Sequence, residues 1–427
     1  MIIKPAFCLA AATLLLAGVS FAADWGQYRG PSHNGISSEA IARWPQGGPR
    51  LVWKTPMNAG FSSITVANGI AATLELRPKD GVSREFVVAL DANTGKELWS
   101  APLAVAKYDG GGDSGTPNNS GGDGPRSTPT IDNGNIYAFD GKLNLFCFDA
   151  KTGAQKWTRD FVAEHKGKLI TWQNAAAPVI DGDLIFAACG GANESLVGID
   201  KNTGKTIWKG ESDAMTHATP AIGAIFGQKQ VIFFTQKGLV SCAPGDGKVL
   251  WRYPFKYSVS TAASPIIAGD IVYCSAGYGV GAGAAKIIKS GDAWTATEIW
   301  REPGKKIANH WSTPVLKDGY LYGMFQFKDY GDGPLKCVDV KTGKEMWSQP
   351  NFGPGNVTLV GDKLLALSDA GDLVLINPTT EKYSELARFH AVDGKCWSTP
   401  SIADGRVYVR SVKEGACYEV GSRLSLR

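Results

Sequence analysis

Beyond Ala22 the chain has no run of ~18 uninterrupted apolar residues, so no membrane-spanning helix is expected. No long stretch spaces its apolar residues at a helical period either, which argues against a helix bundle. Charge is sparse: charged residues make up 20% of the chain and the formal net charge is +4, scattered along the sequence. That excludes nucleic acid as the expected partner, and a strongly anionic membrane surface with it. There is no Cys-x-x-Cys-His for covalent haem, no adjacent cysteine pair, and no Gly-x-Ser-x-Gly elbow for a serine hydrolase. The stretch Tyr278 to Gly283 has the glycines of a phosphate loop but no Gly-Lys-Ser/Thr and no following helix, so it reads as a glycine-rich turn.

What is present is apolar, aromatic and rich in turns. Apolar residues make up 44% of the 427, with 52 glycines and 13 tryptophans, a globular composition. Residues 1–22 read as a secretory signal: Lys4 gives the positive start, Leu9 to Val19 the apolar run, and Ser20-Phe21-Ala22 the small-residue cleavage site. The mature chain is then expected to begin at Ala23 and to be periplasmic or secreted. Cys8 leaves with the signal, and the seven remaining cysteines form an odd set that argues against a complete disulfide framework. Cys147, Cys242, Cys337 and Cys417 are read at one equivalent repeat position, as small buried packing residues.

The repeat itself is the strongest signal. A short apolar run, an acidic residue, a Thr-Gly turn and a Trp four residues after the Gly recur, ending at Trp99, Trp157, Trp208 and Trp347, with a variant turn before Trp251. Upstream of each lies Ser/Ala-Thr-Pro, or a degenerate form of it, then a short apolar run and a turn, as at Pro129, Pro178, Pro265, Pro314 and Pro400. The runs are short, rich in Val, Ile, Tyr and Phe, and bounded by Asp-Gly, Asn-Gly or Gly-Asp turns such as Asp132-Asn133-Gly134, so they read as strands of hairpins. From Trp53 to Trp347 the spacings are 46, 58, 51, 43, 49 and 47 residues. A period of about 40–50 residues with four strands describes a propeller blade. Eight copies give an all-β, eight-bladed β-propeller of four-stranded antiparallel blades. The last copy supplies only three strands, and Arg50-Leu51-Val52-Trp53-Lys54 is a strand with no strand before it, so it is expected to complete blade eight and close the ring. The domain reading is a signal at 1–22, an irregular segment at 23–48 and the propeller at 49–427.

The Thr-Gly-Lys-x-x-Trp units resemble the repeats of the pyrroloquinoline-quinone (PQQ)-like eight-bladed propellers. Trp25-Gly26-Gln27-Tyr28-Arg29-Gly30-Pro31 with Asn34-Gly35 is similar to the start of many secreted bacterial members. That family includes quinone-dependent alcohol dehydrogenases and non-catalytic propellers, among them the lipoprotein scaffold of the outer-membrane β-barrel assembly machinery. The resemblance therefore implies the fold and leaves the function open.

In such a ring the loop entering each innermost strand lines the channel mouth. Three residues before the Pro position stand Phe61, Arg126, Ala175, His217, Ala262, Trp311, Pro354 and Trp397, with Asn174, His310 and Lys395 beside them and Trp172 and Gln173 close by. These residues differ from blade to blade where the rest of the repeat stays alike, which suggests a shaped polar and aromatic pocket. The candidate site is accordingly Phe61, Arg126, Trp172, Gln173, Asn174, His217, His310, Trp311 and Trp397. No catalytic residue and no metal ligand set is assigned; two histidines without a further ligand fall short of a metal site. Asp109, Asp113 and Asp123 lie in a Gly-rich loop whose spacing is not that of an EF-hand, and they read as solvated. The favoured function is a monomeric, non-catalytic binding or scaffold module for a protein, peptide, saccharide or other small-molecule ligand. The alternative is a PQQ-dependent alcohol or sugar oxidoreductase with Ca²⁺. The cofactor remains open, with PQQ and Ca²⁺ not favoured: the family's vicinal disulfide is missing, and no acidic residue occupies the mouth positions.

Overall fold

The computed structural model describes residues 24–105, 124–326 and 333–421. The expectations for the signal, for Cys8 and for Asp109, Asp113 and Asp123 lie outside the described residues. Eight four-stranded antiparallel blades follow one another around a ring; seven are built from four consecutive strands, the seventh with Ile36–Ser37 added in parallel, and the eighth takes its outer strand from Arg50–Pro56. Blade 1 comprises Thr65–Ala67, Ile70–Lys79, Val82–Asp91 and Glu97–Val105, from the channel outwards. The innermost strands of blades 2 to 8 begin at Thr130, Val179, Ala221, Ile266, Val315, Gly355 and Ser401. The all-β eight-bladed propeller expected from the repeat is the observed fold.

Each residue type of the repeat has a local cause. In the turn, the Asp91 carboxylate accepts from the Asn93 and Thr94 amides and the Thr94 hydroxyl. Asp149 and Asp200 do the same in blades 2 and 3. The glycine that follows has φ near +70° and lies against the Trp of the preceding blade: a Cβ on Gly95 would meet Trp53 at 2.6 Å, one on Gly153 would meet Trp99 at 2.6 Å, and one on Gly247 would meet Trp208 at 2.4 Å. The same indole donates to a carbonyl of the next blade, Trp53 to Ala92 at 2.9 Å, Trp99 to Ala150 at 2.8 Å and Trp208 to Pro244 at 2.7 Å. The Trp thus covers the turn of its neighbour, which is why Gly and Trp repeat together. Apolar side chains fill the space between blades. Phe186 and Leu196 of blade 3, for example, pack with Val231 and Phe233 of blade 4 around Trp208.

Nearer the axis a second belt joins the blades through the residue before each Pro position. The Ser63 amide donates to the Thr128 hydroxyl, Ala177 to Thr219, Ser264 to Thr313, and Thr399 back to Ser63, all at 2.9–3.0 Å. The Ser/Thr of the Ser/Ala-Thr-Pro signal is therefore a blade-to-blade linker.

Closure follows the expected route. Arg50–Pro56 pairs antiparallel with Glu414–Glu419, from Arg50 opposite Glu419 to Pro56 opposite Glu414, and supplies the outer strand of blade 8. Two features depart from the reading of the sequence. A five-residue helix, Phe161–His165, leads out of blade 2 and is capped by the Asp160 carboxylate; it is too short to show a period. Cys242 is not equivalent to the other three cysteines: Cys147, Cys337 and Cys417 stand opposite Trp157, Trp347 and Trp53, whereas Trp251 stands opposite Ser241. The pairing itself is unchanged, with Ser241 ten residues before Trp251 as Cys147 is before Trp157 and Cys337 before Trp347, so Cys242 simply stands one residue beyond the repeat position. All seven cysteines of the described chain are buried and free.

Candidate functional site

A cavity of ≈ 190 Å³ opens where the innermost strands begin. Seven of the residues singled out from the sequence line it: Phe61, Arg126, Trp172, His217, His310, Trp311 and Trp397. They arrive on the loops entering blades 1, 2, 3, 4, 6 and 8, so the ring alone brings them together. Gln173 and Asn174 do not line it. Both are buried, and the Asn174 side chain accepts from the Ala176 amide at 3.1 Å and donates to the carbonyls of Ala176 at 3.2 Å and Asp140 at 3.5 Å.

Aromatic rings dominate the walls. Phe61 stacks on Trp397 with centroids 5.0 Å apart, and Trp397 stacks on Trp311 at 4.7 Å. Two cations lie against this column: the Arg126 guanidinium at its end, 5.6 Å from the Phe61 centroid, and the Lys395 ammonium 5.2 Å from that of the middle ring, Trp397. Across the cavity Trp172 lies nearly parallel to Tyr278 at 6.4 Å, and Tyr278 meets the His310 ring edge-on at 5.0 Å. Trp172 and Gln173 are consecutive non-glycine residues with φ of 66° and 61°, a strained turn that presents the indole to the opening.

Both histidines of the wall are neutral. His217 Nε2 lies 2.8 Å from the Thr171 carbonyl and therefore carries the proton, while Nδ1 accepts from the Ser260 hydroxyl at 3.0 Å. Burial pulls its pKa down to about 4, with Arg126 adding to the effect. Burial takes His310 down to about 3, helped by the proximity of His217. Among the described residues no group of three or more His, Cys, Asp or Glu could hold a metal ion.

The lining also contains residues that the repeat did not single out: Tyr28, Tyr278 and Asn356, with the hydroxyls of Ser63, Thr128, Thr219, Ser260 and Thr399. The Ser/Thr before the Pro position was the signal for Ser63, Thr128, Thr219 and Thr399, whereas Ser260 lies outside it. Tyr28 and Tyr278 come from the N-terminal segment and from the Tyr278–Gly279 turn of blade 5, both outside the repeat register. None of the described lining residues is acidic. Chemically, the arrangement is a set of flat apolar faces, a positive charge and a row of hydroxyls.

Comparison with known proteins places this site in context. The chain is 23% identical to the outer membrane protein assembly factor BamB of Shewanella oneidensis over 57% of its own length, and that match spans only 62% of the relative. It is 24% identical to a tetrathionate hydrolase of Acidithiobacillus ferrooxidans, covering 88% of this chain and 78% of that one. Among solved structures, the quinohemoprotein alcohol dehydrogenase of Comamonas testosteroni superposes with a TM-score of 0.63 at 13% identity, over 95% of this chain and 81% of that one, a likeness of fold. The sequence profile of the family described as outer membrane protein assembly factor BamB matches residues 83–325 and 331–420, and with eight PQQ-like blades in the ring the chain belongs to that family.

Proposed function

We propose that this chain is an exported, non-catalytic binding propeller whose ligand presents a flat, negatively charged group to the channel mouth, whether from a protein, a peptide or a small molecule. The observation that carries the reading is the Phe61–Trp397–Trp311 stack with Arg126 over its end, in a cavity whose described walls hold no carboxylate. Flat rings favour a planar partner, and a cation in a partly desolvated site favours an anion. The relatives are compatible with this: one is named for assembling other proteins, another for a substrate that is an anion. Export rests on the expected signal at 1–22; N-terminal sequencing of the exported protein should read Ala23 first, and a retained Met1 would refute the cleavage.

The test is a titration of the mature protein with 2-naphthalenesulfonate, followed by tryptophan fluorescence. Saturable quenching is expected, with Trp397→Ala and Arg126→Met each weakening binding at least tenfold, about 1.4 kcal/mol. Equal affinity in the wild type and both variants would overturn the placement of the site.

The oxidoreductase reading has one observation in its favour: the aromatic faces and Arg126 suit a planar tricarboxylate such as PQQ. The Ca²⁺ that would accompany it needs acidic oxygens, and the described wall offers none. The residues do not fit a Ca²⁺-assisted quinone centre, and no reaction step is derived through one. Turnover of an alcohol panel with PQQ, Ca²⁺ and an artificial acceptor would reverse this conclusion; none is expected.

A further inference from the structure

The motif Trp25-Gly26-Gln27-Tyr28-Arg29-Gly30 lies at the end of the channel away from the mouth, and its hydrogen bonds trace a path across it. The Trp25 amide donates to the Val66 carbonyl of blade 1 at 2.8 Å, and Ile131 of blade 2 donates to the Gly26 carbonyl at 2.7 Å. The Gln27 amide side chain clamps Ile180 of blade 3, accepting from its N–H at 2.9 Å and donating to its carbonyl at 3.2 Å. Two residues later the Arg29 guanidinium donates to the carbonyls of Thr313 at 3.0 Å and Pro314 at 2.9 Å, at the entry to blade 6. The chain then pairs Ile36–Ser37 in parallel with Leu359 and Val360 of blade 7.

Gln27 and Arg29 are at most about 7 Å apart along the backbone, yet they hold blades three steps apart in a ring of eight. The chain can do this only by crossing near the axis, and the residue at the crossing is Tyr28. Its neighbours are fixed for the same purpose. A Cβ on Gly26 would lie 2.5 Å from the Ile131 carbonyl oxygen, and one on Gly30 would lie 2.7 Å from the Trp25 ring. Arg29, 2% exposed, is committed to carbonyls, and burial takes its pKa down to about 10. Tyr28 alone in this run faces the cavity.

We infer that this strap is part of the binding site: it closes the far end of the channel, Tyr28 is the floor, and the phenol sets the depth to which a ligand can enter. This rests on the reading of the mouth as a binding site. From Phe61 at the rim to Val66 beside the strap is five residues, a span of at most about 17 Å, so the channel is a blind cup. A ligand inserts one compact flat end and leaves by the same opening; it does not thread the ring.

The experiment compares a short aromatic anion, 2-naphthalenesulfonate, with a long rigid one, 4,4′-stilbenedisulfonate, on the mature protein and three variants. The wild type is expected to favour the short probe. Tyr28→Ala deepens the cup and should raise the affinity for the long probe relative to the short one at least tenfold. Tyr28→Trp makes the cup shallower and should weaken the short probe about tenfold. Tyr28→Phe keeps the depth and should change neither, which separates depth from any effect of the hydroxyl. If the wild type binds the short probe and all three variants keep its ratio of affinities, the floor assignment is overturned while the mouth site stands. If the wild type binds neither probe, the mouth reading fails and this one with it.

Discussion

Arg410 is the largest fully buried side chain among the described residues, 1% exposed, and its guanidinium is held by neutral groups. Its guanidinium donates to the Thr73 hydroxyl at 2.8 Å, to the carbonyls of Leu74 at 2.7 Å and Asn58 at 2.8 Å, and to Ser411 at 3.2 Å. Burial lowers its pKa. The acceptors at 73, 74 and 58 belong to blade 1 or its approach, while Arg410 ends a strand of blade 8, so one side chain ties the first blade to the last. Methionine in its place would strand several buried acceptors, each costing about 1–3 kcal/mol. Arg410→Met should lower stability by about 3 kcal/mol or more, read as a shift of the urea midpoint; a midpoint within error of wild type would show that the seam does not depend on it. Nothing in the local sequence distinguished Arg410 from an ordinary strand-end arginine, because its partners Asn58, Thr73 and Leu74 lie more than 300 residues away.

At the scale of the element, the strand Arg50–Pro56 decides whether the ring is closed. It covers the strand Glu414–Glu419, which would otherwise be an open edge, and its Trp53 reaches Ala92 in blade 1. Deleting residues 49 to 54 should expose that edge, lower the melting temperature strongly and promote aggregation. An unchanged melting temperature would refute the closure. This strand was legible in the sequence because it has the Trp of a repeat with no strand before it and because the last repeat is one strand short. The rim was partly legible for a related reason. Phe61, Arg126, His217, Trp311 and Trp397 stand at one repeat position and vary where the repeat does not. Gln173 and Asn174 were misplaced because their loop turns twice through positive φ and buries them behind Trp172. Tyr278 was read only as part of a glycine-rich turn, and only the packing of the blades shows that this turn brings a ring to the cavity.

Across the whole molecule the histidines make stability depend on pH. Burial takes His33 and His217 down to about 4 and His310 to about 3, and it lowers His165 as well. Each of these folded-state values lies below the unfolded value near 6.5. The unfolded chain therefore binds more protons between those values, so stability is full above pH 6.5 and falls as the pH drops towards 4. For a fully buried histidine such as His217 the loss between pH 7 and pH 5 is about 2 kcal/mol. His390 runs the other way: its partners Asp393 and Asp372 raise its pKa, so it adds stability at low pH that fades as the pH rises. It is half exposed, and solvent screening keeps its share small. The urea midpoint should fall from pH 7 to pH 5, and His217→Asn should flatten that dependence. A profile equally steep in the variant would show that His217 is not the group being protonated.

The sequence by itself determined the number of blades, the order of their strands and the place where the ring is sewn shut. These follow from turns and short apolar runs whose causes are local: a carboxylate capping its own Thr-Gly turn, a glycine at positive φ, a proline at the head of a strand. Only the tertiary structure decided what stands in the channel. The rim draws one residue from each of several blades, the hydroxyl belt joins neighbours some fifty residues apart, and the floor is a tyrosine carried across the axis by side chains that reach opposite walls. Contacts of that kind depend on where a closed ring puts each blade, and no stretch of chain short enough to carry its own pattern contains more than one of them.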